Sequence, residues 1–133
     1  MKKVLITGGA TGIGKATALL FKQNGWDVFI TYNKTAPDYD GVTAIKCDLT
    51  NPDDIQSLFD RFDSLDVLVN NAGVSLVKMI NDTTLDDYDY VTSVNQRAVY
   101  FCSKHAVSKM MKNHSGAIIN ISSMWGLNAS KVS

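Results

Sequence analysis

The sequence is short of most features that mark a specialised chain. Its 133 residues include two cysteines, Cys47 and Cys102, with no Cys-x-x-Cys pair and no histidine at ligand spacing. A disulfide framework and a zinc site are excluded, and the simple reading is two reduced, partly buried thiols. Thirteen basic residues balance thirteen acidic ones, leaving no net charge and no electrostatic case for nucleic acid. No apolar run approaches the roughly 20 residues that cross a bilayer. Met1-Lys2-Lys3 before Val4-Leu5-Ile6 imitates a signal peptide, and Ala16-Thr17-Ala18 imitates its cleavage site. Thr7-Gly8-Gly9 breaks that stretch well short of the roughly 7–15 apolar residues required. The expectation is a soluble, cytoplasmic chain that engages neither nucleic acid nor membrane.

Repeats, low-complexity tracts, charge blocks and linkers are also missing. What remains is a globular composition, 45% apolar and 20% charged, of a length suited to one domain over residues 1–133. Short apolar runs alternate with helical patterns. Val4-Leu5-Ile6, Val28-Phe29-Ile30, Val42 to Cys47, Val67-Leu68-Val69 and Ala117 to Ile121 read as strands. Between them, Gly12 to Asn24 reads as a helix with Ile13, Ala16, Leu20 and Phe21 on its inner face and Gly25 as its stop. Asn51-Pro52-Asp53-Asp54 is a helix start, followed by the stripe Ile55, Leu58, Phe59 and Phe62. Thr84 caps a long helix reaching about Lys112, with Asp86 and Asp87 in its first turn. This alternation implies an α/β fold with right-handed crossovers and a parallel sheet. Residues Asn33 to Gly41 are too few for a crossover helix, since such connections normally take about a dozen residues or more.

Gly8, Gly12 and Gly14 form G-x-x-x-G-x-G between a strand and a helix. Glycines there let the backbone turn tightly and approach a phosphate, whose charge the free N–H groups of the helix start receive. The common G-x-G-x-x-G is absent. Gly9 to Lys15 nearly matches a nucleoside-triphosphatase loop, but Ala16 stands where that loop needs a magnesium-binding hydroxyl. On the loop alone, a purely structural glycine turn stays open.

Further motifs follow in order: Cys47-Asp48-Leu49, Asn70-Asn71-Ala72-Gly73, Ser93-Val94-Asn95 and Ile119-Asn120-Ile121-Ser122-Ser123. With Thr7 to Gly14, they make the chain resemble the short-chain dehydrogenase/reductase family, classical type, over nearly its whole length. The missing third helix and Tyr32-Asn33-Lys34 after the second strand most resemble the 3-oxoacyl-(acyl carrier protein) reductase branch. The resemblance implies a doubly wound, Rossmann-type sheet, here with strands in order 3-2-1-4-5, binding a nicotinamide dinucleotide over the strands' carboxyl ends. Gly8, Gly12 and Gly14 would cradle the pyrophosphate, with Ile13 in the loop's apolar turn. Asp48 and Leu49 would border the adenine, and Asn71, Ala72 and Gly73 would pass beneath the ribose. An acid at the end of the second strand would favour NAD. Tyr32, Asn33 and Lys34 offer no such carboxylate, so NADP is expected and NAD is the alternative.

The resemblance also implies hydride transfer between nicotinamide and a small carbonyl or alcohol substrate. Ser123, from the pattern Ser123-Met124-Trp125-Gly126, with its neighbour Ser122 as the runner-up, would polarise the carbonyl, and Asn95 would anchor a water relay. The family's Tyr-x-x-x-Lys should follow shortly after Ser123, but the sequence given runs only to Ser133. The expectation is that residues 1–133 are inactive alone, with a non-catalytic binding or interaction module as the alternative. Tyr100 and Lys104 match Tyr-x-x-x-Lys but precede Ser123. At ideal geometry Tyr100 lies roughly 7.5 Å along and 140° around the helix from Asn95, as a core or interface residue. His105 and His114 are expected at the surface. Family members are dimers or tetramers that use the long helix as an interface, so a homo-oligomer is expected and isolated residues 1–133 should self-associate through an apolar fifth strand.

Overall fold

A computed structural model describes residues 1–75 and 77–122. Five strands form one parallel sheet in the order β3-β2-β1-β4-β5. They are β1 (Lys3–Ile6), β2 (Asp27–Tyr32), β3 (Thr43–Lys46), β4 (Val67–Asn70) and β5 (Ala117–Asn120). Register is even: Ile6 pairs with Ile30 on one side and Val69 on the other, and Asn70 pairs with Asn120. The doubly wound order expected from the sequence is thus present.

Alternation along each strand divides the core. Val4, Ile6, Val28, Ile30, Val67 and Val69 face one side, where α1 (Gly12–Gln23) packs through Ala18. Leu5 and Leu68 face the other, against Leu58, Phe59 and Phe62 of the α2 region (Pro52–Asp60) and Cys102 and Ala106 of α4 (Ala98–Met111). Central strands buried on both faces are why their sequence reads as continuous apolar runs. Each large side chain buried this way contributes roughly 1.5–3 kcal/mol.

Helix ends follow local rules. Asn51 caps α2, accepting from the Asp53 N–H at 2.9 Å, with Pro52 in the first turn. Thr84 and Asp87 form a reciprocal capping box at α3 (Leu85–Thr92). The expected long helix is interrupted: a π turn, Ser93–Arg97, joins α3 to α4. Nothing in its composition, neither proline nor glycine, signals this.

Two expectations are corrected. On α1 the buried residues are Gly14 and Ala18, whereas Ile13 and Leu20 are 63% and 60% exposed and Ala16 is also exposed. Close approach to the glycine loop and the sheet selects small residues at Gly14 and Ala18, while Phe21 packs against the core as expected. His105 is half-buried rather than superficial, its ring stacked 5.5 Å from Phe59. His114 is exposed, with φ 52° just past the end of α4.

The short link between β2 and β3 contains no helix. It is fastened to α1 and the glycine loop instead. Lys15 pairs with Asp38 at 2.9 Å, the Tyr39 hydroxyl donates to the Gly9 carbonyl at 2.7 Å, and Lys22 donates to the Asp40 carbonyl. Cys47 and Cys102 are free and buried in one core cluster, and burial pushes both thiols up to about 12.

Candidate functional site

The carboxyl ends of β1 to β4 meet at one edge, where the loops that follow them enclose a groove of about 430 Å³. Gly8, Ala10 and Thr11 line it from the loop after β1, and Tyr32, Asn33 and Lys34 from the end of β2. Asp48, Leu49 and Thr50 come from beyond β3, and Asn71, Ala72 and Gly73 from beyond β4. Tyr90 and Val94, on the helical segment between β4 and β5, also line it.

The glycine loop is held by hydroxyls at strand ends. Thr7, 2% exposed, accepts from the N–H groups of Asn71 and Ala72 through one Oγ1, each at 3.1 Å. Thr31, also buried, accepts from the Gly8 N–H at 3.1 Å, and its carbonyl accepts from the Gly9 N–H. The Asn71 amide returns to the carbonyls of Thr7 and Gly8. Gly8 needs its glycine: φ is +66°, and a Cβ would lie 3.0 Å from the Ala72 backbone. Gly14 lets α1 approach the loop, because a Cβ there would lie 2.5 Å from the Asn71 amide nitrogen and nearer still to the Gly8 carbonyl.

The start of α1 differs from those of α2 and α3. Thr11 stands at the cap without a side-chain bond to the helix, and no acid lies in the first turn. Both α2 and α3 have capping side chains and acids at the same place. An uncapped helix N-terminus with partial positive charge is suited to an anion. Gly12, at φ +59°, has no atom within 4 Å of where a Cβ would project. Gly12, Ile13 and Gly14 do not themselves line the groove; they form the helix start behind Thr11.

Asp48 organises the loop after β3. Its Oδ1 accepts from the Thr50 N–H and hydroxyl at 3.0 and 2.7 Å, and its own N–H is held by the Asp54 carboxylate. Asn95 lies in the π turn and grips Val74 at both ends of its amide: Oδ1 accepts from the Val74 N–H at 2.8 Å and Nδ2 donates to the Val74 carbonyl at 2.7 Å. The asparagine chosen from sequence therefore fixes the loop leaving β4. From the same turn Arg97 reaches the Thr50 carbonyl at 2.7 Å.

Ser123 lies outside the described residues; Ser122, at their end, is exposed. Tyr100 is 68% exposed on α4 and does not line the groove, so it is not a core residue. The intervening π turn also removes the ideal-helix angle between it and Asn95. Among the described residues no cluster of His, Cys, Asp or Glu suits a metal ion, and no helix is long and apolar enough to cross a membrane. Sequence reasoning passed over Thr7, Thr31 and Arg97. The first two were detectable, being polar residues that directly follow apolar strand runs.

Comparison with known proteins agrees with this geometry. The family model for short chain dehydrogenases matches residues 2–133. A 3-oxoacyl-[acyl-carrier-protein] reductase from Synechocystis is 34% identical over 92% of this chain and 56% of its own length. The chain thus spans little more than half of that curated relative. A Burkholderia cenocepacia short chain dehydrogenase, solved in complex with NADP, superposes with TM-score 0.88 and 32% identity over 99% of this chain and 59% of its own. The aldohexose dehydrogenase of Thermoplasma acidophilum, solved ligand-free, gives TM-score 0.92 and 32% identity over 99% of this chain and 53% of its own. With its sheet order, its glycine loop and a family match across almost every residue, the chain belongs to the short-chain dehydrogenase family.

Proposed function

We propose that residues 1–133 form the dinucleotide-binding domain of an NADP-dependent oxidoreductase, which exchanges hydride between nicotinamide and a small carbonyl or alcohol substrate. The observation that carries this reading is the uncapped start of α1 opening beside a groove at the strands' carboxyl ends. In that groove the dinucleotide, when bound, supplies the hydride chemistry. The chain's own residues do the holding. Gly8, Gly12, Ile13 and Gly14 shape the pyrophosphate seat, Asp48 and Leu49 flank the adenine, and Asn71, Ala72 and Gly73 run under the ribose. Asn95 fixes the loop beside the nicotinamide end, and Ser123 polarises the substrate oxygen. Proton transfer requires a Tyr-x-x-x-Lys pair outside residues 1–133, so those residues alone bind cofactor without turnover.

NADP is preferred because the end of β2 presents Tyr32, Asn33 and Lys34, with an ammonium and no carboxylate beside a 2′-phosphate. The Burkholderia relative's complex with NADP supports that choice. The Synechocystis relative's name supports the 3-oxoacyl-(acyl carrier protein) reductase branch and a 3-oxoacyl thioester as substrate. The working form is a cytoplasmic homo-oligomer, dimer or tetramer.

The test is steady-state kinetics of protein carrying the downstream Tyr-x-x-x-Lys, with NADPH and a 3-oxoacyl thioester. NADPH is consumed by that protein and not by residues 1–133 alone. Lys34→Glu raises the KM for NADPH about tenfold, corresponding to about 1.4 kcal/mol, and leaves that for NADH nearly unchanged. Equal use of both cofactors by both proteins would refute the NADP assignment. Turnover by residues 1–133 alone would refute the division of labour.

A further inference from the structure

We infer that Arg97 is a positioning residue for the adenine end of the dinucleotide, acting by tying the Asp48–Thr50 turn to the π turn that carries Val94 and Asn95. The inference rests on the dinucleotide reading above and names a residue that reading does not use.

Three observations carry it. First, the bond joins distant parts of the chain: Arg97 Nη2 donates to the Thr50 carbonyl at 2.7 Å across 47 positions. That length is typical of a charge-assisted hydrogen bond. Second, the turn is otherwise closed on itself. Asp48 takes the Thr50 N–H and hydroxyl, Asp54 takes the Asp48 N–H, and the Asp48 carbonyl takes the Asn51 N–H. Among the described residues Arg97 is the one side chain outside residues 48–54 that bonds to residues 48–50. Third, one end of the tie lies in the groove itself: Thr50 lines it together with Asp48 and Leu49, and Arg97 follows another lining residue, Val94, by three positions.

The helix geometry explains how one turn serves two loops. Residues two apart on a helix point to nearly opposite sides. Asn95 accordingly reaches Val74 beyond β4, and Arg97 reaches Thr50 beyond β3. Arg97 makes no ion pair among the described residues, so its guanidinium has no competing carboxylate. Being exposed, the bond adds little to global stability. Its effect is on the freedom of the turn, and a ligand that needs the turn ordered must otherwise order it on binding.

The experiment compares the purified protein with Arg97→Met and Arg97→Lys. Dissociation constants are measured for NADPH, adenosine 2′,5′-bisphosphate and nicotinamide mononucleotide, the last by competition, together with melting temperatures. Arg97→Met should weaken NADPH and the adenosine bisphosphate about fivefold each and leave nicotinamide mononucleotide within about twofold. Melting should move by no more than about 2 °C. Arg97→Lys, which keeps a donor, should recover most of the loss. Unchanged adenosine bisphosphate binding in Arg97→Met would overturn the inference, as would equal weakening of both halves or a lysine variant no better than methionine. A parent protein that binds none of the three overturns the dinucleotide reading and this inference together. A parent that binds them all beside a variant that does so equally overturns this inference alone.

Discussion

Gly14→Ala lowers the melting temperature by about 10 °C and weakens dinucleotide binding at least about tenfold. The added methyl has nowhere to go, since it would overlap the Gly8 carbonyl and the Asn71 amide, both held by hydrogen bonds. Moving α1 away would loosen Ala18 from the sheet. Overpacking of this kind costs about 1–3 kcal/mol, more where backbone is the obstacle, and a chain of this size loses about 3–5 °C per kcal/mol. Gly12→Ala is the informative contrast. Its methyl meets no protein atom, so stability falls only by the roughly 1–2 kcal/mol of a left-handed alanine. That methyl still occupies the space beside the helix start, so affinity falls as far as in Gly14→Ala. Scanning calorimetry and titration of the two variants check this. A Gly14→Ala protein melting within about 2 °C of the parent would mean that α1 is not in close contact with the loop.

Thr7→Val destabilises by roughly 2–4 kcal/mol although it preserves shape and adds apolar surface. The two N–H groups that Thr7 Oγ1 accepts, from Asn71 and Ala72, lose their acceptor together. An unpaired buried donor costs about 1–3 kcal/mol, whereas a hydrogen bond that is merely exchanged with water costs far less. Thr7→Ser keeps the oxygen and loses one methyl, so it should fall by only about 1 kcal/mol. Urea unfolding midpoints rank the three proteins as parent, serine, then valine. Serine and valine variants of equal stability would show that the hydroxyl is not what joins β1 to the end of β4.

Much of this architecture was legible in the sequence, because strands buried on both faces read as apolar runs and because Asn51 and Thr84 announce their helices. The short, helix-free link after β2 was legible from length alone. The rest was hidden for specific reasons. On the inner face of α1 Phe21 was read correctly, but Ile13, Ala16 and Leu20 were not, because close approach to the loop and sheet selects Gly14 and Ala18 there. The π turn at Ser93–Arg97 leaves no mark in composition, yet it carries both Asn95 and Arg97. Of the groove's lining, Gly8, Tyr32 to Lys34, Asp48, Leu49 and Asn71 to Gly73 could be named by motif, whereas Gly12, Ile13 and Gly14 lie in the helix start behind it. The supporting contacts could not be so named: Thr7 meets Asn71 across 64 positions, and only the sheet order brings them together.

On the proposed reading, the groove beside the uncapped α1 start holds a nicotinamide dinucleotide with a 2′-phosphate. Titration of NADPH and NADH into the purified protein, followed by the nicotinamide fluorescence, tests it most directly. The expected result is saturable one-to-one binding of NADPH, at least about tenfold tighter than NADH, and loss of that binding in Gly12→Ala. No saturable binding of either nucleotide by a folded protein, or binding that Gly12→Ala leaves intact, would contradict it.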